Sequence, residues 1–366
     1  MRRAISLLGL AIVLAMLCGS AQAAQYRVHE LGVLPGDGQS AARRINNSGQ
    51  VLGYSHSYDV NDTTGIFLWS QSAGMVDIEV KGKLDMPGGI NDLGQITGIG
   101  VSEAGGTAVI RGSDGSLTKL PQPDGKIGSW GLDINNAGQV VGWLHDSTIL
   151  EDDHYHAVLW NINGDIITLG GGDEQWSRAT DINNAGQVVW TRENMPNSLE
   201  KAYRWDKVNE SVPLVLLNGT DYNAASSIND SGWIVGTSGN HAVLWITPET
   251  VVDLGTAPYL GDNLGAACGI NNYGQIVGSL GGRAVLWNAD GSVAADLDSF
   301  LGGEYGSGAS AINDNGWVVG YRLDEYGNQQ AILWEPVPEP SSILTLAGGM
   351  LCLAGLLKRR SEQLLH

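Results

Sequence analysis

The 366-residue sequence predicts an all-β fold built from seven copies of one unit. A segment reading Ile-Asn-Asn-Ser-Gly-Gln-Val-Leu-Gly begins at Ile45, and variants of it return at spacings of 45, 44, 48, 46, 42 and 42 residues. A second block, typically Ala-Val-Leu-Trp, follows each copy about 20 residues later. Regular repeats of this length indicate a repeat architecture. The later copies begin at Ile90, Ile134, Ile182, Ile228, Ile270 and Ile312.

Each unit contains the pattern of four short strands. The first strand runs into the isoleucine, and Asn-(Asn/Asp)-x-Gly then predicts a tight turn whose glycine takes a left-handed conformation. Gln-Val-Val-Gly forms the second strand, Ala-Val-Leu-Trp the third, and a segment ending in Leu-Gly the fourth. Four strands per unit, repeated seven times, predict a seven-bladed β-propeller of four-stranded blades.

The two ends of the repeat region predict how the ring closes. The seventh copy stops after Trp334, so it lacks its fourth strand. The segment Tyr26–Gly32 precedes the first copy, and its Leu31-Gly32 aligns with Leu254-Gly255 at the end of a fourth strand. We expect this N-terminal strand to complete the last blade, which would leave no open sheet edge. A β-solenoid, the alternative, would need no such complement.

Tryptophans of the Leu-Trp blocks are predicted to pack between blades. They are Trp69, Trp160, Trp205, Trp245, Trp287 and Trp334. Two of the blocks read His156-Ala157-Val158 and His241-Ala242-Val243, and over nearly the whole mature chain the repeats resemble the extracellular HAF repeat family. That resemblance implies an exported, propeller-like protein without an assigned activity. The second and fourth copies depart from the pattern, with Arg111 in place of tryptophan and Trp190 in place of glycine.

Residues 1–23 have the features of a secretory signal peptide. A basic start and an apolar stretch over 5–17 precede Ala21-Gln22-Ala23, which fits the small-x-small cleavage rule. We expect signal peptidase to cleave after Ala23. Acylation of Cys18 is the lipoprotein alternative, which bulky residues before it disfavour, and the apolar run is too short for a permanent membrane anchor.

The C-terminus carries a second targeting signal in three parts. A short Pro-rich box is followed by an apolar run over 343–357 and then by Lys358-Arg359-Arg360, as expected for a short membrane helix with a cytoplasmic basic end. The box begins with Val337, Pro338, Glu339 and Pro340. These residues resemble the PEP-CTERM sorting signal; an ordinary tail anchor is the alternative.

The PEP-CTERM resemblance implies a Gram-negative host and an exosortase-type processing enzyme. It also implies transient insertion into the inner membrane through 343–357, export to the surface, and an association with exopolysaccharide production. We therefore divide the chain into a signal peptide, 1–23, a seven-repeat propeller, 24–336, and a sorting signal with membrane helix and basic tail, 337–366.

The charge of the chain excludes several classes of partner. The whole chain has a formal net charge of −19, and loss of both targeting segments leaves 15 basic and 37 acidic residues, a net charge of −22. This argues against binding to nucleic acid or to anionic lipid, since both need a cationic surface. Cys268 is the one cysteine of the predicted mature chain, so an intramolecular disulfide is excluded.

Candidate binding residues fall in the loops of one face of the predicted propeller. First-to-second and third-to-fourth turns share one face and are short, whereas the other face carries long, variable loops rich in acids and aromatics. Such residues could bind sugar rings by stacking and hydrogen bonding, or hold Ca²⁺, or form a solvated acidic rim. The candidates are Trp176, Tyr222, Tyr305, Asp173, Asp221, Glu151, Asp152 and Asp153.

Signals for catalysis are weaker. His154 and His156 with Asp152 and Asp153 form a loose transition-metal candidate, and the sequence contains no familiar catalytic or nucleotide-binding fingerprint. Cys268 precedes a core isoleucine and is expected to be a small buried residue, not a nucleophile. We therefore expect a non-enzymatic surface or matrix protein that binds exopolysaccharide or another envelope partner, without a required cofactor. A polysaccharide lyase or glycosidase and a purely structural spacer are the alternatives.

Overall fold

The computed structural model of the chain describes an all-β protein. Its described residues form 29 strands and one 3-10 helix, Asp298–Leu301. None of these residues lies in a helix long and apolar enough to cross a membrane. The predicted signal peptide, 1–23, and membrane helix, 343–357, lie outside the described residues. The structure describes residues 25–57, 65–78, 84, 86–100, 106–124, 126, 128–145, 154–170, 176–194, 199–259, 262–302 and 305–338.

The strands follow the repeats in order. Before and within the first three repeats they are β1 (Tyr26–Gly32), β2 (Gln39–Ile45), β3 (Val51–His56), β4 (Gly65–Ser70), β5 (Gly74–Asp77), β6 (Met86–Ile90), β7 (Ile96–Gly100), β8 (Thr107–Arg111), β9 (Leu117–Lys119), β10 (Gly128–Ile134), β11 (Val140–His145), β12 (Tyr155–Trp160) and β13 (Ile166–Thr168). The fourth and fifth repeats give β14 (Trp176–Ile182), β15 (Val188–Asn194), β16 (Leu199–Asp206), β17 (Glu210–Pro213), β18 (Asn223–Ile228), β19 (Ile234–Ser238), β20 (His241–Thr247) and β21 (Thr250–Gly255). The last two give β22 (Ala257–Tyr259), β23 (Asp262–Ile270), β24 (Ile276–Leu280), β25 (Arg283–Trp287), β26 (Val293–Asp296), β27 (Ser307–Ile312), β28 (Val318–Leu323) and β29 (Gln329–Pro336).

Successive strands of a repeat pair side by side to form sheets. Four sheets have four strands, in the orders β2-β3-β4-β5, β6-β7-β8-β9, β18-β19-β20-β21 and β1-β29-β28-β27. A fifth sheet adds β22 to the four strands β23 to β26, and an eight-stranded sheet contains β10 to β17. Within the eight-stranded sheet, β12 and β14 are joined through one parallel residue pair, Tyr155 with Trp176.

The sheets are arranged in a closed ring. The first strands of successive repeats contact each other in the order β2, β6, β10, β14, β18, β23 and β27, and β27 contacts β2. The fold is therefore an all-β propeller, as the sequence predicts. The N-terminal strand β1 is the outer strand of the last sheet, beside β29, which confirms the predicted role of Tyr26–Gly32.

Residues 27–335 form one compact unit that contains the sheets. The other unit comprises the chain ends, 1–26 and 336–366, of which 25, 26 and 336–338 are described. There the Val337 N–H donates to the carbonyl oxygen of Gln25 at 2.8 Å.

The turn between first and second strands has the predicted geometry in every repeat. Its glycine has φ between 73° and 81°, a region that side chains with a Cβ rarely adopt. The glycines are Gly49, Gly94, Gly138, Gly186, Gly232, Gly274 and Gly316.

The first asparagine of each turn links the repeats to one another. Its Nδ2 donates to the main-chain carbonyl oxygen of the equivalent asparagine in the next repeat, at 2.9 to 3.1 Å, and the last returns to the first. All of these asparagines are buried. They form a closed ring, which we call the asparagine ring: Asn46, Asn91, Asn135, Asn183, Asn229, Asn271 and Asn313.

The residues that directly follow these asparagines form a second, more exposed ring. The backbone N–H at this position donates to the side-chain Oδ1 of its counterpart in the next repeat, at 2.8 to 3.0 Å. The members are Asn47, Asp92, Asn136, Asn184, Asp230, Asn272 and Asp314. Amides and carboxylates alternate except between Asn136 and Asn184, so the carboxylates face amide donors and not one another.

Tryptophans of the Leu-Trp blocks pack between sheets as predicted. Trp160, Trp245, Trp287 and Trp334 are at most 1% exposed. The indole N–H of Trp160 donates to the carbonyl oxygen of Pro121 at 2.8 Å, just past the outer strand of the preceding sheet. The other three indoles donate to carbonyl oxygens at or just past the outer strand of the preceding sheet, those of Val215, Leu254 and Leu297. Apolar burial and one hydrogen bond thus act together at these four junctions.

We expect Asn183→Ala to destabilise the fold by about 2–3 kcal/mol, because several buried partners lose their hydrogen bonds at once. The Asn183 side chain donates to Gln187 and to the Asn229 carbonyl, and accepts from the backbone N–H of Gln187 and Ala185. Urea unfolding measures the difference. The control is Asn184→Ala, in the exposed second ring, which should cost less than half as much; equal losses would contradict the importance of the asparagine ring.

Candidate functional site

A groove lined by aromatic rings and acids lies where β12 meets β14, at the strand ends opposite the asparagine turns. Its volume is about 250 Å³. We call it the aromatic groove. Its lining residues are Trp143, Tyr155, Trp176, Ser177, Arg178, Thr191, Glu193 and Glu200. Most of them stand near strand ends next to the loops 146–153, 171–175 and 195–198, which lie outside the described residues.

Strand register places four of these residues in one line across the sheet. Tyr155 is directly opposite Trp176, Trp176 is opposite Glu193, and Glu193 is opposite Glu200. Neighbouring strands lie about 4.8 Å apart, so side chains that stand opposite each other on one face are in reach of one another. We call Tyr155, Trp176, Glu193 and Glu200 the cross-strand row. It presents two aromatic rings followed by two carboxylates.

The aromatic rings of the groove support one another. The ring centroids of Tyr155 and Trp176 are 4.9 Å apart, and Trp143 meets Tyr155 edge-on at 4.6 Å. His145 stacks on Tyr155 at 4.8 Å with an interplanar angle of 20°. Contacts of this kind fix the ring planes before any ligand arrives, which lowers the entropy cost of binding.

The charges of the groove are unequal. Arg178 Nη2 lies 2.8 Å from Glu200 Oε1, so this guanidinium is paired with one of the two carboxylates. Glu193 adds a second carboxylate directly opposite Glu200. Arg192 and Lys201 form the adjacent pair of the same two strands, and side-chain alternation turns them to the other face. The groove lining therefore has two carboxylates and one cation.

Thr191 contributes a buried hydroxyl to the groove. The residue is 3% exposed, and its Oγ1 has no hydrogen-bond partner within the part of the chain that the structure describes. A buried hydroxyl without a partner is unfavourable by about 1–3 kcal/mol, so such groups are rare away from binding sites.

Of the predicted binding residues, Trp176 lies in the aromatic groove. Tyr305 is 51% exposed and lines a separate depression of about 320 Å³ beside Arg322 and Asp324. Tyr222 and Asp221 line neither site, and the Tyr222 hydroxyl donates to Asn240 Oδ1 at 2.9 Å. The remaining predicted residues, Asp173, Glu151, Asp152 and Asp153, and the box residues Glu339 and Pro340, lie outside the described residues.

Sequence patterns did not predict Tyr155, Glu200 or Thr191 as groove residues. Tyr155 and Glu200 stand near the starts of β12 and β16, next to long loops, and Thr191 lies in the middle of β15. For Tyr155 and Glu200 that position was the available signal. Their convergence depends on the register between strands of two different repeats.

A second cavity, of about 190 Å³, lies on the axis of the propeller against the asparagine ring. Asp133 and Asp181 line it and are hydrogen-bonded to each other. Asp133 is 8% exposed and accepts from the Ile182 N–H, while Asp181 accepts from the Ile228 N–H at 2.7 Å. Burial, together with the charge of Asp181, raises the pKa of Asp133 well above its usual range, although Arg44 opposes the shift. The shift favours the protonated form of the Asp133 carboxyl.

Cys268 lines the same axial cavity. It is half-buried, whereas the sequence predicted a buried residue. Burial raises the pKa of its thiol, while the charges of Arg44 and Arg43 partly offset that shift. A raised pKa disfavours the thiolate, so the residue is a poor nucleophile, in line with the sequence analysis.

Within the described part of the chain, no group of three or more His, Cys, Asp or Glu side chains is placed to hold a metal ion. The transition-metal candidate of the sequence analysis falls partly outside that region, because Asp152 and Asp153 are not described.

Comparison with known proteins identifies the fold and nothing finer. No protein-family profile matches the chain, and no curated protein matches it significantly. Among solved structures, a virginiamycin B lyase from Staphylococcus aureus is similar with a TM-score of 0.52 and 9% identity, over 84% of this chain and 99% of that one. An acylaminoacyl peptidase from Pyrococcus horikoshii is similar with a TM-score of 0.52 and 13% identity, over 86% of this chain and 55% of that one.

A third similar structure is the β-propeller domain of the Trilobed protease from Pyrococcus furiosus, with a TM-score of 0.49 and 10% identity over 82% of this chain and 99% of that one. The similarity to the virginiamycin B lyase agrees with the closed ring of sheets. Identities this low carry no information about activity or ligands.

We expect Asp133→Asn to raise the melting temperature above about pH 4 and to flatten its pH dependence. Because the folded-state pKa of Asp133 is raised, the folded protein binds more protons than the unfolded chain, and stability falls as pH rises through that window. Asparagine keeps the acceptor for Ile182 and cannot ionise. Thermal unfolding at several pH values measures the effect.

The control for this prediction is Asp290→Asn. Hydrogen bonds from Ser292 lower the pKa of the Asp290 carboxyl, so its ionised form stabilises the fold at neutral pH and that stabilisation is lost as pH falls. This variant should not raise the melting temperature. An unchanged pH slope in Asp133→Asn would show that the pKa of Asp133 is not raised in the folded protein.

Proposed function

We propose that this protein is an exported, non-enzymatic cell-surface or extracellular-matrix protein that binds exopolysaccharide or another envelope glycan through the aromatic groove. The observation that carries the proposal is the cross-strand row, in which Tyr155 and Trp176 stand beside Glu193 and Glu200. Aromatic faces stack on the apolar faces of sugar rings, and carboxylates accept hydrogen bonds from sugar hydroxyls.

We also propose that the propeller has seven blades. Two features support this number. The asparagine ring has seven members and closes on itself. The eight-stranded sheet divides naturally into two four-stranded blades, since a single residue pair joins its halves and each half corresponds to one repeat.

Export is supported by the two ends of the chain. The apolar segment before Ala23 is a substrate pattern for signal peptidase, and the box that begins at Val337 resembles the sorting signal read by exosortase-type enzymes. We propose that the chain passes the inner membrane of a Gram-negative bacterium, is processed at both ends, and reaches the surface. The predicted surplus of acidic residues suits a soluble exported body.

The arrangement of acids favours binding over glycoside hydrolysis. A glycosidase places two carboxyl groups on opposite sides of the scissile bond, about 5–10 Å apart. Glu193 and Glu200 are instead neighbours on one face of one sheet, and Arg178 holds Glu200 in an ion pair. The axial pair is no better placed, because the Asp133 and Asp181 carboxylates already accept the backbone N–H groups of Ile182 and Ile228.

We expect Trp176→Ala to weaken glycan binding by about tenfold, or ~1.4 kcal/mol, through loss of a stacking face. Co-sedimentation of the purified chain with exopolysaccharide from the producing strain, followed by sizing of the polymer, measures both binding and cleavage. Trp176→Phe keeps an aromatic face and should restore most of the binding.

The matched control is Tyr273→Ala, an aromatic residue that is 76% exposed on a turn of the opposite face. It should bind like the unaltered chain. Equal losses of glycan binding in Trp176→Ala and Tyr273→Ala would show that the aromatic groove is not the binding site. Shortening of the polymer would show that the protein is an enzyme and would overturn the non-enzymatic proposal.

A further inference from the structure

The charge of the aromatic groove narrows the class of glycan. We infer that its ligand is a cationic polysaccharide, a hexosamine polymer with free amino groups. This inference rests on the proposed function, because it names the class of sugar that the same groove takes. The geometry points to it through three independent features of the described residues.

The first feature is an unbalanced pair of carboxylates. Glu193 and Glu200 stand directly opposite each other, and like charges in that position destabilise a sheet. Arg178 compensates Glu200 alone, at 2.8 Å. The cations of these two strands do not line the groove; they are Arg192, Lys201 and Arg204. An ammonium group on a ligand, placed between the carboxylates, would remove the repulsion and add a charge-assisted hydrogen bond.

The second feature is the order of groups along the cross-strand row. Two aromatic rings, Tyr155 and Trp176, come directly before Glu193. A sugar ring stacked on Trp176 would therefore present its substituents to the carboxylate of the next strand. An amino substituent there gains from both neighbours, since an ammonium is attracted to the face of an aromatic ring as well as to a carboxylate.

The third feature is the unpartnered Thr191 hydroxyl. It lines the groove two residues before Glu193 on the same strand, so the two side chains share a face. At 3% exposure this hydroxyl is desolvated in the unliganded groove. A sugar hydroxyl or amine would supply the missing hydrogen bond, and this distinguishes the groove from a solvated cluster of surface acids.

The net charge of the predicted mature chain acts in the same direction. A net charge of −22 repels a polyuronate and attracts a polycation before either one touches the protein. A glycan made of uronic acids would bring further carboxylates to Glu193 and Glu200, and would need a bridging cation to bind at all.

The test compares three oligosaccharides of equal length with the full purified chain by calorimetry, in chelator and in Ca²⁺. The probes are a glucosamine oligomer, its fully N-acetylated counterpart and a uronic acid oligomer. We expect the glucosamine oligomer to bind at least about tenfold more tightly than the acetylated one, without Ca²⁺. Raised salt should reduce that preference, because it screens the ammonium–carboxylate attraction.

Three variants of nearly unchanged side-chain shape test which groove residues produce the preference. Glu193→Gln should remove most of the discrimination between glucosamine and its acetylated form, and should raise the melting temperature by relieving repulsion with Glu200. Glu249→Gln, at an exposed turn, removes the same charge without touching the groove and should change neither property. Thr191→Val should weaken binding of both oligomers while leaving the chain folded, because it removes the hydroxyl and keeps the shape.

The outcomes separate the two proposals. If acetylated and free oligomers bind equally in the unaltered chain, the amino-group inference fails and the glycan-binding function stands. If the uronic acid oligomer binds in Ca²⁺ alone, the acids serve a bridging cation, and the inference is again overturned. If no oligomer binds and the strain's own polymer does not sediment the chain, the proposed function itself fails.

Discussion

The fold depends on one side-chain interaction, the amide of the asparagine ring. Each buried Asn donates to the next repeat and accepts from backbone N–H of its own turn, as Asn183 does. In five of the seven, Asn183 included, the amide also donates to the glutamine four residues later. Aspartate lacks the donors and glutamine has a longer side chain. The same amide therefore closes a local turn and a long-range junction, so local and global structure require the same residue. In the second ring, which has an odd number of members, carboxylates and amides cannot alternate throughout, and the exception falls between Asn136 and Asn184.

The asparagine turns hold one face of the propeller in the same conformation in every repeat. The strand ends at the opposite face can therefore differ between repeats. The groove occurs where the repeat pattern is least regular. In the fourth repeat Trp190 replaces the usual glycine, is 2% exposed, and stacks on Tyr203 at a centroid distance of 4.4 Å. At the same place Tyr155 and Trp176 join two repeats into one sheet, and this joint aligns the cross-strand row. Departure from the repeat and the presence of a site thus coincide, as expected when a symmetric scaffold acquires one specific surface.

Much of the architecture could be predicted because the same sequence pattern recurs in every repeat. Turn glycines, Leu-Trp packing and the strand Tyr26–Gly32 in the last sheet all follow from short-range patterns and from aligning copies. The inter-repeat hydrogen bond of the first asparagine could not be predicted, since turn chemistry alone already accounts for that residue. For the groove, Trp176 was predictable as an aromatic residue beside a variable loop. Its partners Tyr155 and Glu200 were not, because register across four strands from two repeats brings them together.

The two acidic sites differ in whether their polar groups already have hydrogen-bond partners, and this difference indicates which site a ligand would bind. In the axial cavity Asp133 and Asp181 accept backbone N–H groups and bond to each other, so their polar groups are already satisfied inside the protein. In the groove, Glu193 faces a like charge and Thr191 is desolvated without a partner among the described residues. A satisfied polar network gains little from a ligand, whereas an unsatisfied one gains the hydrogen bonds and charge neutralisation that folding did not provide. The axial acids therefore belong to the scaffold, whereas the groove acids are available to the ligand that we propose.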